Sequence, residues 1–112
     1  MTSPMLNRPL LLEERQRVAD GAGGYTESWA PLGTLWAELK AGTGRERGEG
    51  MATLSLANYR ITVRAAPQGS PSRPKPDQRF RDGTRIFRIL AVLEKGTNGR
   101  FLQCNAVEEV VS

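Results

Sequence analysis

The sequence predicts an all-β fold, a small antiparallel barrel or sandwich with a long Pro-rich loop. Three observations predict it. Residues 58–65 and 85–94 alternate side chains with the period of two that a strand requires. Asn98-Gly99 lies between two apolar runs and is the strongest hairpin signal in the chain. About five to seven short extended segments are joined by Gly-rich turns, the pattern of a small closed or sandwiched sheet.

In chain order, residues 10–18 fit either a strand or a short helix. The run Asp20-Gly21-Ala22-Gly23-Gly24 ends that segment, because closely spaced glycines favour tight turning. Residues 25–29 read as a second short strand, which Pro31 and Gly33 interrupt. Residues 34–40 resume as a half-buried strand with Leu35, Ala37 and Leu39 on one face and Trp36, Glu38 and Lys40 on the other. Residues 42–50 predict a loop, with one short helical turn near 44–50. Their glycines are spaced G-x-G-x-x-x-G with no Lys-Ser/Thr pair following, which argues against a phosphate cradle.

Residues 58–65 form the clearest strand, with Tyr59, Ile61 and Val63 inward and Arg60, Thr62 and Arg64 outward. Residues 66–79 contain Pro67, Pro71, Pro74 and Pro76, which remove backbone donors and favour extended geometry. A fourteen-residue segment of this kind, going out and back, projects roughly 20 Å. Asp82-Gly83 marks a turn. Residues 85–94 are apolar on both faces, which predicts a central strand covered on both sides. The hairpin pairs 86–95 with 100–107 and puts Leu102, Cys104 and Ala106 on one face. The whole of residues 1–112 is expected to form one domain, with 66–79 as its projecting loop.

Composition excludes much chemistry. The chain has no His, so imidazole bases, Ser-His-Asp or Cys-His machinery and His-ligated zinc are out. Cys104 is the only cysteine; it cannot close an intrachain disulfide and is expected as a small buried hydrophobe. No constellation of carboxylates and hydroxyls suggests an enzyme, a cofactor or a metal. Glu108 and Glu109 are strand neighbours that point to opposite faces, so they are no acid–base dyad. No apolar run approaches the ~20 residues that span a bilayer, and residues 1–12 are too short for a signal-peptide core. A soluble protein without membrane partners, kept in a reducing compartment, is expected.

The charge is unevenly placed. The net is +4, yet residues 60–100 carry ten basic and three acidic side chains, while residues 1–59 carry six and seven. Such a block suits a polyanionic neighbour, either nucleic acid or an acidic protein surface.

An ordered series of residues then resembles a known family. It runs Asp20-x-x-Gly23-Gly24, Glu27-x-Trp29, Trp36-Ala37 and Gly44-Arg45-Glu46. It continues through Tyr59-Arg60-Ile61-Thr62-Val63-Arg64 and Gly83-x-x-Ile86-Phe87-Arg88-Ile89 to Leu102-x-Cys104. From about residue 8 to 108 the chain resembles the head–tail joining proteins of tailed phages, also called head-completion or stopper proteins, and their gene-transfer-agent relatives. The resemblance implies a small β-barrel without enzymatic activity. It also implies assembly as a homo-oligomeric ring of about six or twelve copies in the neck of a phage-like particle, made in the bacterial cytoplasm. Such a ring has the portal or its adaptor above, tail terminator or other tail proteins below, and packaged double-stranded DNA in its bore.

In that family a long internal loop lines or constricts the channel. Residues 66–79 occupy the corresponding place, here filled with Pro, Arg and Lys. Arg73, Lys75 and Arg79 are therefore the candidate channel or inter-ring residues, repeated by rotational symmetry where phosphates pass. Trp36, Glu46, Arg60 and Arg64 are the candidate subunit-interface residues; Trp29 is expected at the core or its edge. The alternative is a single-stranded nucleic-acid-binding barrel of the OB type, stacking bases on Tyr59, Phe80, Phe87 and Phe101. Tyr59 and Phe87, however, fall on the expected core faces.

Overall fold

The structure is a computed structural model and describes residues 3–42 and 57–109. Six antiparallel strands make it up: β1 (Arg8–Ala19), β2 (Tyr25–Ala41), β3 (Ala57–Arg64), β4 (Arg79–Asp82), β5 (Arg85–Lys95) and β6 (Phe101–Glu109). They close in the order β1-β2-β3-β6-β5-β4. Closure leaves the barrel proper with no free edge, and alternate side chains of every strand point into one core. Leu10, Leu12, Ala37, Ile61, Val63, Phe80, Phe87, Ile89, Leu102, Cys104 and Ala106 fill it. The all-β prediction holds, and so do the inward faces assigned to residues 58–65 and to Leu102, Cys104 and Ala106. The helical turn expected near 44–50 lies outside the described residues.

Three local readings change. First, β1 is a strand, and its partner β2 runs unbroken for seventeen residues through Pro31 and Gly33. The pairing shifts there, from Leu12↔Gly33 to Glu13↔Pro31, so Leu32 is an extra residue in a bulge. A bulge accommodates Pro within a strand because ladder hydrogen bonds are already locally interrupted. Gly33 takes a φ of +142°, open to glycine and rarely to other residues.

Second, β5 is not covered on both faces. Its register against β6 slips between Ile89↔Ala106 and Ala91↔Asn105. The slip resets the alternation. Phe87 and Ile89 point inward before it and Val92 after it, while Leu90 and Leu93 stay about half exposed on the outside. An apolar run on two faces here records one interrupted inward face.

Third, residues 66–78 form successive tight turns that lie against the barrel wall. The last of these residues run beside β5, where the Asp77 amide donates to the Ile89 carbonyl and the Ile89 amide to the Gln78 carbonyl. With β4 only four residues long, this segment continues the wall. Pro74 is fully buried in it.

The β5–β6 connection spans residues 96–100, with Lys95↔Phe101 as its last pair and a 3-10 turn at Thr97–Gly99. It is longer than a two-residue hairpin, but Asn98 and Gly99 both take the positive φ that their sequence predicted.

Candidate functional site

Strand directions sort the molecule into two poles. The distal parts of β1 and β2, residues 66–78 and the 96–100 turn share one; the start of β1, the 83–84 turn and the end of β6 share the other. β4 pairs with β1 only at residues 11–13, and β3 with β2 only at residues 37–41. Beyond these, among the described residues, 14–19 and 25–30 pair solely with each other and leave the barrel as a two-stranded arm. At about 3.3 Å per residue the arm is roughly 20 Å long. It is this arm, and not residues 66–79, that projects. Sequence reading located its turn but not its reach, because reach depends on where the neighbouring strands stop pairing.

The arm's tip is closed by Asp20. Its Oδ1 accepts from the Ala22 amide at 2.8 Å and the Gly24 amide at 3.0 Å, and these bonds lower its pKa below the ordinary carboxylate value. Gly21 and Gly23 adopt the positive φ such a turn needs. Along one side the arm carries alternating cations and rings. Arg79 of β4 lies 4.0 Å from the Trp29 ring centre and Arg15 5.5 Å from it, and Arg17 lies 4.7 Å from that of Tyr25. Arg15 also faces Glu27 at 3.8 Å. Arg79 Nε meanwhile donates to buried Glu13 at 2.7 Å, with Arg81 3.7 Å from the other carboxylate oxygen. One guanidinium therefore ties the arm's base to the barrel by a charge-assisted hydrogen bond and by stacking.

The opposite pole is closed by a second Arg–Glu pair. Arg85 reaches Glu108 through Nε (2.8 Å) and Nη2 (3.1 Å) and also donates to the Tyr59 hydroxyl at 3.2 Å. Tyr59 in turn meets Phe87 edge-on with centroids 5.2 Å apart. Arg85 holds the Glu108 carboxyl below its usual pKa. Glu108 is thus a structural acceptor.

The predicted site residues separate. Arg73 is largely buried: its Nη1 donates to the Ala66 carbonyl at 2.8 Å and its Nη2 lies 3.7 Å from Glu94. Arg79 belongs to β4 and is held by Glu13. Of the three, Lys75 alone has an exposed side chain; its backbone amide donates to buried Gln78. Trp36 is 57% exposed on the outer face of β2, opposite Leu35, Ala37 and Leu39. Arg60 and Arg64 are exposed on β3, and Arg64 shares with Lys95 a row through Phe101, next to exposed Arg100. Glu46 lies outside the described residues. The ring-stacking alternative loses three of its four platforms, because Phe80 and Phe87 are fully buried and Tyr59 is engaged by Arg85, while Phe101 is half-buried with Arg64 5.8 Å from its ring centre.

A family model described as phage head completion protein matches residues 1–109. The chain belongs to that family. Its barrel is also similar to that of a chain in the virion of a native gene transfer agent particle, with a TM-score of 0.81 and 55% identity over 98% of this chain and 100% of that one. The fold recurs in the solution structure of protein SF1141 from Shigella flexneri 2a, with a TM-score of 0.70 and 19% identity over 96% of each chain. No curated protein sequence matches the chain. Head completion proteins are structural proteins of phage particles, and Cys104, the one thiol, is sealed in the core with its pKa pushed up to about 12 by burial.

Proposed function

We propose that this head completion protein is a ring-forming neck component of a phage-like particle, joining head to tail and closing or lining the DNA channel. The observation that carries the reading is the 55% identity, along 98% of the chain, to a protein of a gene transfer agent virion. In this reading the closed barrel is a rigid block placed by rotational symmetry, with the portal or its adaptor on one side and tail proteins on the other. Trp36, Arg60 and Arg64 supply subunit contacts. Arg73 and Arg79 hold residues 66–79 in the wall, and Lys75 is the cation that the segment offers to the bore or to the adjoining tier. One charge per copy becomes about six to twelve around the axis, a sequence-independent and salt-sensitive hold on phosphates.

Electron microscopy of assembled particles tests this. A symmetric ring of this chain between portal and tail is expected; a single copy, or a position away from the neck, overturns it. Lys75→Ser particles are expected to leak packaged DNA faster as salt rises, and unchanged retention removes Lys75 from the channel. Lys75 is the clean site for substitution, because changing Arg79 unpairs Glu13 and perturbs the fold itself.

A further inference from the structure

Among the described residues, one sheet face of the arm has no cover. Along β1, Glu14, Gln16 and Val18 continue the alternation of Leu10 and Leu12, so they lie on the side that is core within the barrel. Past the barrel rim that face is exposed, Val18 included at 48%. Side-by-side strand addition does not suit the arm. At its base β2 carries Pro31 and a bulge, and its β1 edge carries Glu14, Arg15 and Arg17, all devices that discourage new strand pairing. A partner therefore meets its face.

A matching surface lies on the same molecule. In the barrel order, β5 stands diametrically across from β2. Its bulge leaves Arg88, Ala91, Leu93 and Lys95 in one outward row, with Leu90 and Leu93 half exposed. Among the described residues, Arg88 has one ion-pair contact, with Asp77 at 3.9 Å at the solvent surface. With the bulged residue counted out, the row Arg88, Ala91, Leu93, Lys95 has the same two-residue spacing as Glu14, Gln16, Val18, Asp20. Superposed in parallel, acid meets base at both ends and Val18 meets Leu93 between them. Both rows are roughly 20 Å long.

We infer that the arm of one copy packs its Glu14–Gln16–Val18–Asp20 face across β5 of the next copy. Donor and acceptor surfaces on opposite walls of one chain form a heterologous contact, the kind that closes into rings. The inference rests on the ring reading above and adds a subunit contact to those of Trp36, Arg60 and Arg64.

The test uses particles carrying Val18→Cys together with Leu93→Cys, both at exposed positions. After mild oxidation, a non-reducing gel is expected to show a ladder of this chain rising to the ring number, with each single variant remaining monomeric. A ring visible at the neck without a ladder overturns the arm contact and leaves the ring reading standing. Absence of any ring overturns both. Crosslinking to a different particle protein also overturns it, because the arm then reaches an adjoining tier. Should the double variant not assemble, carbodiimide treatment of unaltered particles serves instead. It is expected to join Asp20 of one copy to Lys95 of another, and the absence of an Asp20–Lys95 link, or a Glu14–Lys95 link in its place, refutes the contact.

Discussion

Replacing Arg79 by Ala tests whether one side chain fastens the arm to the barrel. The change strands Glu13, which is 6% exposed and bonded to Arg79 at 2.7 Å. Removing one partner of a buried pair costs about 3–5 kcal/mol, and losing a partly buried cation–π contact adds about 1. Arg81, 3.7 Å from the same carboxylate, offsets part of this, so the net expectation is about 3 kcal/mol. With an m-value of about 2 kcal/mol/M in urea, the unfolding midpoint falls by about 1.5 M. Arg79→Lys keeps the charge but loses the planar fork and the stack on Trp29, and should fall between the two. In Glu13→Gln/Arg79→Met, where neither charge is left alone, most of the loss should return. An Arg79→Ala midpoint within 0.3 M of the unaltered protein, an estimate corresponding to about 0.6 kcal/mol, would refute the reasoning.

Further outcomes follow from other sites. Phe87→Ala removes a fully buried ring packed edge-on against Tyr59 and is expected to cost about 3–5 kcal/mol in the same titration; a loss under 1 would mean the barrel collapses around the gap. Asp20 has a lowered pKa when folded, so its turn is supported above the ordinary carboxylate pKa and loses that support as pH falls through the lowered value. Ala22 and Gly24 amide protection should decline over that acidic range, and in Asp20→Ala the decline should vanish. Cys104 should resist thiol reagents at pH 8 in the folded protein and react at once on unfolding; rapid native labelling would contradict its burial.

Most of the barrel was legible in its strands. Tyr59, Ile61 and Val63, and Leu102, Cys104 and Ala106, share inward faces at a period of two, although outward Thr62 is also buried. Reading failed where a bulge broke that period. Leu32 and Leu90 are single extra residues, and local pattern alone splits β2 in two and wraps β5 in cover on both sides. β4 is four residues long and follows four prolines, so nothing local announces it. At the candidate site, Trp36, Arg60 and Arg64 lie outward as their strands predict. The anchoring of Arg73 and Arg79 depends on Glu94 and Glu13, which are distant in sequence and are met only through the closed topology.

The six residue pairs of the arm, 14–19 with 25–30, also give it a mechanical character. Because the turn at Asp20 joins the strands at the tip, a pull along the arm passes through both backbones into the barrel's own ladders, while a sideways pull bends the two-stranded ribbon about its base. The protrusion is therefore strong as a tether and compliant as a spring: a neighbour holding it sideways can sway without letting go, whereas one drawn straight away must break many bonds at once.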